Sequence, residues 1–310
     1  MSTTAPPIRP GPFGRLHLTR SERRNLRLGL LFISPWIVGF LAFLVYPIVY
    51  TLRISFTEYT GFGEPEWIGL GNYQALLQDD LFWISLYNTL YYTALAAPLG
   101  VVVAMGLALS MNQPLREVPL YRAILYLPSV IPLFTLSFIF LILMNPTQGI
   151  FNQFLMAIGL PNINWFGDPA WTKLAFVFLA QFGAGQVALI FLAGLKGIPV
   201  TLYEAAMLDG AGVWSRFRNI TLPMMTPIIL YDLILGLSLG LQVFTQAYVI
   251  TRGGPADASR FYVLYLYDNA FRYGKMGYAS AMAWILFVIT FVLAMLIFRW
   301  SQRWVHYENQ

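Results

Sequence analysis

The chain contains no cysteine, and it has little histidine or charge. Its 310 residues include two histidines, His17 and His306, and only 11% of them are charged. The absence of cysteine excludes disulfides and thiolate metal sites. No G-x4-G-K-[ST] phosphate loop and no H-E-x-x-H metalloprotease motif occurs. We therefore expect the chain to have no catalytic residues and to bind no metal, no ATP and no other cofactor by itself.

Apolar side chains are abundant instead. Hydrophobic residues make up 58% of the chain and aromatic residues 16%. A soluble domain carries about 25% charged residues, so this chain has too little polar surface for a water-soluble fold, and its spare apolar area must face lipid. Aromatic residues at this level are typical of belts at both membrane interfaces. The net charge of +5 does not indicate a nucleic-acid partner, because the basic residues follow membrane topology.

Six segments are apolar enough to cross a bilayer as helices, which takes about 20 residues each. They are residues 28–52, 87–109, 123–144, 174–195, 224–250 and 276–298. We therefore predict an all-α, polytopic membrane protein with a six-helix transmembrane domain over residues 28–300. The flanking tails are residues 1–27 and 301–310. Thr19 followed by Glu22 is a capping-box pattern that would start the first helix early.

The basic residues also predict an orientation. If the N-terminus is cytoplasmic, the inner segments carry about twice as many lysines and arginines as the outer segments. Both termini are then expected in the cytoplasm, and so is the loop of residues 196–223. Gly253-Gly254-Pro255 would form a turn on the opposite, outer side.

The inner loop has the pattern of a helix–turn–helix. Pro199 suits a helix start, because its missing N–H falls among first-turn donors that lack partners. Residues 201–208 favour a short helix, and Gly210 suits a left-handed end to it. Residues 213–220 begin a second short helix, and Pro223 is expected to stop it and open the fifth membrane helix. We call residues 199–214 the elbow.

The elbow, together with Arg216 just after it, carries small and charged side chains that suit a protein partner. Ala205 and Ala206 allow close approach, Glu204 and Asp209 offer carboxylates, and Arg216 offers the opposite charge. The alternative is an ordinary amphipathic turn between two membrane helices, in which glycine and proline only end helices and form turns.

The longer sequence pattern that includes these residues is more specific than the individual side chains. From Glu204 to Pro223 the loop reads E-A-A-x3-G-x9-I-x-L-P. It resembles the segment of binding-protein-dependent ABC importer permeases that grips the ATPase, in the carbohydrate-uptake branch related to the maltose and glycerol-phosphate permeases. Further stretches resemble that branch: Trp67-Ile-Gly-Leu-Gly-Asn-Tyr73, Leu192-Ala-Gly-Leu-Lys-Gly-Ile-Pro199, Gln242-Val-Phe-Thr-Gln-Ala-Tyr-Val-Ile-Thr251 and Gly277-Tyr-Ala-Ser-Ala281.

The resemblance implies a type I ABC importer permease fold and a transport subunit that is not an enzyme. It implies ATPase coupling through Glu204, Ala205, Ala206, Asp209, Gly210 and Arg216. The implied partners are a second homologous permease, two ATP-binding subunits that hold ATP and magnesium, membrane lipid, and a periplasmic or lipid-anchored solute-binding protein that contacts outer loops including residues 145–172. The implied location is the inner (plasma) membrane, and the implied cargo is a sugar or oligosaccharide.

Two predicted membrane helices carry polar and aromatic side chains that suit such a cargo. Four polar residues of the fifth helix recur at helical spacing and would form one stripe beside two aromatic residues. The candidate path consists of Gln181 and Gln186 on the fourth helix, and Ser238, Gln242, Thr245 and Gln246 with Phe244 and Tyr248 on the fifth. Polar side chains also hold membrane helices together, and the residues alone leave both roles open.

Rival functions differ in the charges they require. An ion-coupled transporter needs paired intramembrane carboxylates, whereas the spans hold only Asp232, near a cytoplasmic helix end where it can reach the interface. The spans offer no lysine or arginine beyond their ends, which favours an uncharged cargo over glycerol phosphate. A polyol or another solute stays open. An intramembrane enzyme ranks last, because the helices hold no recognisable catalytic motif.

Overall fold

The computed structural model describes residues 19–113 and 116–306. Most of this part of the chain is helical, and its only strands, β1 (Thr57–Glu58) and β2 (Glu66–Trp67), pair antiparallel. The chain divides into two compact units, residues 1–53 and residues 54–310. Much of the two predicted tails lies outside the described residues.

The first unit is built from helix. The capping box is present as predicted, and it opens α1 (Arg20–Phe40). A π-helical turn, Leu41–Val45, leads directly into α2 (Tyr46–Ile54), so that Arg20–Ile54 forms one candidate membrane span. The turn ends two residues before Pro47, whose ring would clash with the carbonyl four residues earlier and which cannot donate a hydrogen bond. The wider turn lets the helix pass through the proline.

The second unit contains the other predicted spans. Its helices are α3 (Gly71–Leu77), α4 (Asp80–Met111), α5 (Val118–Val130), α6 (Leu133–Leu143), α7 (Ile150–Ala157), α8 (Pro169–Gln181), α9 (Ala184–Gly197), α10 (Val200–Leu208), α11 (Val213–Arg216), α12 (Leu222–Leu241), α13 (Thr245–Ile250), α14 (Tyr262–Tyr267) and α15 (Met276–Ser301). Two further π-helical turns are Phe217–Thr221 and Asp268–Arg272.

The six predicted segments each fall on one candidate span. Four spans are unbroken by a sharp bend: Arg20–Ile54, Asp80–Met111, Val213–Ile250 and Met276–Ser301. The other two are bent pairs, α5 with α6 at 100° and α8 with α9 at 48°. Pro132 stands at the first bend, and Phe182 and Gly183 stand at the second. The helical, polytopic class is therefore as predicted.

Helix α4 lies at the centre of the second unit and packs against α8, α9 and α12. Small side chains let these helices approach one another, as is usual for helices in membranes. The contact with α9 and α12 is formed by Ala104, Ala108, Ala188, Phe191 and Met225, all buried. At the α5–α9 contact, a Cβ on Gly185 would lie 2.2 Å from the carbonyl oxygen of Leu125, so only glycine fits there.

Candidate functional site

The first arm of the elbow is α10, which has Pro199 as its N-cap. The helix ends as predicted at Gly210, whose φ is +76°. The Gly210 N–H donates to the carbonyl of Met207, and the Ala211 N–H donates to that of Ala206 at 2.9 Å. These two bonds form a Schellman motif, which satisfies carbonyls at a helix end and requires the left-handed conformation that glycine adopts most readily.

The second arm differs from the prediction. Helix α11 continues through the π-helical turn Phe217–Thr221 into α12, and Pro223 lies inside this continuous helix. The expectation that Pro223 stops the second arm was therefore wrong. The Leu222 N–H donates to the carbonyl of Phe217, five residues back, and this wider turn makes room for the proline. The elbow is thus joined to the fifth membrane segment without a hinge.

One face of the elbow is anchored to the membrane helices. The Tyr203 hydroxyl of α10 and the Thr221 hydroxyl of the π-helical turn lie 2.9 Å apart and share a hydrogen bond. Tyr203 and Ile220 also pack against the core that includes Leu195 and Met225. Sequence reasoning missed Tyr203. The signal that could have identified Tyr203 is its large amphipathic side chain directly before Glu204 on α10.

The opposite face of the elbow is exposed and apolar at its tip. Leu208 is 90% exposed, Val213 is 76% exposed and Trp214 is 71% exposed. Glu204 and Asp209 are exposed beside them, and neither makes an ion pair with a residue in the described part of the chain. An exposed apolar tip with charged side chains around it is typical of a protein–protein contact.

Most predicted coupling residues lie together on the first arm. Glu204 and Ala205 are exposed, Ala206 is half-buried, Asp209 is the C-cap of α10, and Gly210 reverses the chain. Arg216 lies apart from them at the end of α11 and is half-buried. Its Nε atom has no hydrogen-bond partner among the described residues.

The candidate path is rearranged relative to the prediction. Helix α12 ends at Leu241, residues 242–244 are not helical, and α13 begins at Thr245. The polar stripe that was expected on one continuous helix is therefore broken, with Ser238 on α12 and Thr245 and Gln246 on α13. The break places the Val243 side chain in a buried cluster with Tyr92 and Phe261. The helix is interrupted here although this part of the segment contains no proline, so tertiary packing overrides the local preference for helix.

The polar side chains of the path have unequal surroundings. Gln181 donates to the carbonyls of Val177 and of Ala96 on α4, so its amide joins α8 to α4. Its Oε1 atom has no partner among the described residues. Ser238 donates to a carbonyl of its own helix. Gln246 is buried, whereas Gln186 and Gln242 are exposed.

The aromatic side chains of the path are brought together. The rings of Phe244 and Tyr248 stack with centroids 5.3 Å apart, and Tyr267 of α14 lies 5.1 Å from Phe244 and 5.6 Å from Tyr248. Sequence reasoning missed Tyr267, which is distant in the chain. Asp232 lies on α12, is half-buried, and has no ion pair or side-chain hydrogen bond to another residue that the structure describes.

Metal binding finds no support in the described residues. No group of three or more histidine, cysteine, aspartate or glutamate side chains is placed to hold an ion in residues 19–113 or 116–306.

Comparison with solved structures supports the fold. A chain in the crystal structure of a bacterial ABC transporter involved in the import of the acidic polysaccharide alginate superimposes with a TM-score of 0.78 and 25% identity. The match covers 92% of this chain and 98% of the other. The fold is therefore that of type I ABC importer permeases.

Sequence comparison gives the family. The chain is 39% identical to the probable ABC transporter permease protein YesP of Bacillus subtilis, across 94% of this chain and 96% of the relative. It is 33% identical to the trehalose/maltose transport system permease protein MalF of Thermococcus litoralis, across 89% and 93%. Residues 96–307 match the family described as binding-protein-dependent transport system inner membrane component. With the elbow and the membrane spans in place, this match shows that the chain belongs to that family of transport subunits.

Proposed function

We propose that the chain is one permease subunit of an ATP-driven importer for a sugar or oligosaccharide. A second homologous permease completes the pore, two ATP-binding subunits drive it, and a periplasmic or lipid-anchored solute-binding protein delivers the cargo. The relatives support this cargo class, because they are named for trehalose and maltose and, in Rhizobium radiobacter, for lactose. Both termini and the elbow lie in the cytoplasm, as the distribution of basic residues favours.

The observation that carries the proposal is the two-sided elbow. Its exposed tip, with Leu208 and Trp214, offers an ATPase a surface to grip. Its other face is tied to α12 through Tyr203 and Thr221, and the second arm enters α12 as continuous helix. When ATP closes the two ATPase subunits, the elbow moves with them. The connection turns this movement into a displacement of α12, which opens the pore to the outside, and hydrolysis resets it.

The residues of the candidate path suit a sugar as the cargo. The rings of Phe244, Tyr248 and Tyr267 form an aromatic surface on which a pyranose face can stack. Gln242, exposed beside them, supplies an amide that donates to and accepts from sugar hydroxyls. Uptake measurements with labelled sugars, polyols and glycerol phosphate in competition distinguish this cargo from the alternatives.

The coupling proposal is tested with Glu204→Arg and Gly210→Val in the complete transporter reconstituted in nanodiscs. We expect both variants to insert normally but to lose most ATP hydrolysis stimulated by the solute-binding protein. Glu204→Arg reverses the charge that the ATPase meets, and valine is strained at a φ of +76°.

The matched control is Gly210→Asn, because asparagine tolerates the left-handed conformation. A Cβ at this position also meets no atom within 4 Å. We expect this variant to keep most of its coupling. Normal stimulated hydrolysis and uptake in both Glu204→Arg and Gly210→Val would refute the role of the elbow.

A further inference from the structure

Four arginines at the start of α1 lie on one face of the helix. Arg20, Arg23, Arg24 and Arg27 are separated by three, one and three positions. In a helix that turns by about 100° per residue, this spacing places all four side chains within an arc of about 100°. All four are exposed. We call these residues the arginine stripe.

The arginine stripe is unfavourable for the helix when no anion accompanies it. Arg20 and Arg24 form a like-charge pair four residues apart, and so do Arg23 and Arg27, and such pairs destabilise a helix. The stripe also begins at the N-terminus of α1, where the helix dipole favours anions over cations. An anion bound along this face would offset both effects.

Residues 19–53 of the chain do not supply that anion. Glu22 is the only acidic residue among them, and it lies on the side of α1 opposite the stripe. Its carboxylate accepts hydrogen bonds from the backbone N–H of Thr19 at 2.7 Å and from the Thr19 hydroxyl at 2.9 Å. Glu22 is therefore committed to the capping box.

The arginine stripe directly precedes the apolar part of the same helix. Residues 28–52 follow Arg27 without a break, within the candidate span Arg20–Ile54. At a rise of about 1.5 Å per residue, this apolar segment is about 37 Å long, whereas the hydrocarbon core of a bilayer is about 30 Å thick. The stripe therefore emerges at the level of the lipid headgroups. Tilting, which accommodates such an excess of length, turns one face of the emerging turns toward the headgroups.

We propose that the arginine stripe is a binding site for anionic phospholipid headgroups, which hold the start of α1 at the membrane surface. Guanidinium groups bind phosphate through paired hydrogen bonds, and clusters of basic side chains next to a membrane helix are typical of contacts with anionic lipid. A soluble acidic partner would require the stripe to stand clear of the bilayer, whereas Arg27 is adjacent to Leu28 of the apolar segment. The inference depends neither on the cargo nor on the elbow.

The test measures which lipids the complete transporter retains. The complex is reconstituted in nanodiscs that contain phosphatidylcholine and phosphatidylglycerol, transferred to detergent, and analysed by mass spectrometry for bound lipid. We expect the wild type to retain phosphatidylglycerol several-fold above its share of the nanodisc lipid, because four cations meet its headgroups.

A relocation variant separates a binding site from the general effect of positive charge on membrane topology. It exchanges Arg24 with Asn25 and Leu26 with Arg27, so that the net charge and the number of arginines stay the same. The arginines then surround the helix instead of sharing one face. We expect the excess of phosphatidylglycerol to fall roughly threefold or more. Arg53→Gln, at an exposed cation near the other end of the span, is the control and should keep the wild-type excess.

Thermal unfolding distinguishes lipid binding from a purely structural role of the stripe. Phosphatidylglycerol should raise the unfolding midpoint of the wild type more than that of the relocation variant, because a ligand that binds the folded state stabilises it. In pure phosphatidylcholine the two midpoints should agree, and inorganic phosphate added there should not reproduce the gain.

Three results would overturn the inference. The first is a wild type with no excess of phosphatidylglycerol. The second is a relocation variant, or an Arg53→Gln variant, whose excess contradicts the expectation above. The third is a relocation variant whose midpoint is lowered equally with and without phosphatidylglycerol. None of these results bears on the proposed function, which the elbow variants test separately.

Discussion

Tyr203 joins the elbow to the membrane helices by two kinds of contact. Its ring packs on the core that includes Leu195 and Met225, and its hydroxyl is hydrogen-bonded to Thr221. The ring contributes by excluding water, whereas the hydroxyl fixes the direction in which α10 meets the π-helical turn. The two contributions can therefore be separated by a substitution that removes only the oxygen.

We predict that Tyr203→Phe lowers stability by about 0.5–1.5 kcal/mol, the net value of a typical hydrogen bond. We also expect fewer cargo molecules to be transported per ATP hydrolysed, because the elbow can then move without carrying α12 along. Uptake and hydrolysis measured in parallel give this ratio. Tyr121→Phe, at an exposed tyrosine whose hydroxyl makes no hydrogen bond with a described residue, serves as the control. A wild-type ratio in Tyr203→Phe would show that the link does not transmit movement.

Asp79 is a second residue that joins separate parts of the chain. It caps α4, and its Oδ2 atom accepts hydrogen bonds from Tyr265 and Tyr278. Burial alone would raise the pKa of Asp79, but the hydrogen bonds outweigh it and hold the pKa below the ordinary value of 3.8. Burial, together with the hydrogen bond to Asp79, raises the pKa of Tyr265 to about 12.

A carboxyl group with a lowered pKa stabilises the fold only while it is ionised. We therefore predict that the contribution of Asp79 is complete above pH 3.8 and is lost as the pH falls through the lower pKa of the folded state. The thermal unfolding midpoint, measured at a series of pH values, should fall less steeply in Asp79→Asn than in the wild type over this range. Asp80→Asn, at the exposed neighbour, should keep the wild-type slope. Identical slopes for Asp79→Asn and wild type would contradict the assignment.

Residue chemistry allowed part of the site to be predicted. The left-handed Gly210 and the exposed Glu204 follow from local rules on helix ends and polar side chains. The partners of Tyr203 and Asp79 did not follow, because they lie 18 and up to 199 residues away in the chain. Periodicity contains no information about which side chains meet over such distances.

At the scale of helices, prolines have two outcomes. Pro47 and Pro223 each follow a π-helical turn by two residues, and the helix continues through them. Pro132, in contrast, lies at the 100° bend between α5 and α6. Sequence rules predict that a proline disturbs the helix, but they do not distinguish a widened turn from a bend. Whether a proline produces a widened turn or a bend depends on how the helix packs on either side of that proline.

The bend between α8 and α9 lies against α5. The Ser129 hydroxyl of α5 accepts a hydrogen bond from the Gln186 N–H at 3.1 Å, and Gly185 lets the backbones come close. We predict that Gly185→Ala destabilises the protein, because its Cβ would clash with the backbone oxygen of Leu125, which cannot move aside cheaply. Gly106→Ala, within α4 and with no atom within 4 Å of the new Cβ, should be neutral or stabilising by up to about 1 kcal/mol.

Thermal unfolding of both variants in detergent measures the difference. Equal midpoints for Gly185→Ala and Gly106→Ala would show that α5 and α9 are not in close backbone contact.

The six spans were predictable because each needs only a long apolar segment. The break at residues 242–244 was not predictable, because Val243 packs there with Tyr92 and Phe261, and the sequence pattern does not show this contact.

At the scale of the molecule, the chain is a transport subunit of a membrane transporter and not a catalytic enzyme. Its family membership and its type I permease fold fix that role. The elbow and residues 251–260 lie at opposite ends of one candidate span. The complete absence of cysteine makes this arrangement directly measurable, because any introduced thiol is the only one in the chain.

The most direct test of the central claim uses Leu208→Cys, at the tip of the elbow, where the side chain is 90% exposed. The thiol is probed with a membrane-impermeant maleimide on intact cells and with a short bifunctional crosslinker on the purified complex. We predict no labelling from outside, labelling in inverted vesicles, and a crosslink to the ATP-binding subunit. Labelling from outside, or the absence of a crosslink to that subunit while the complex remains active, would contradict the account.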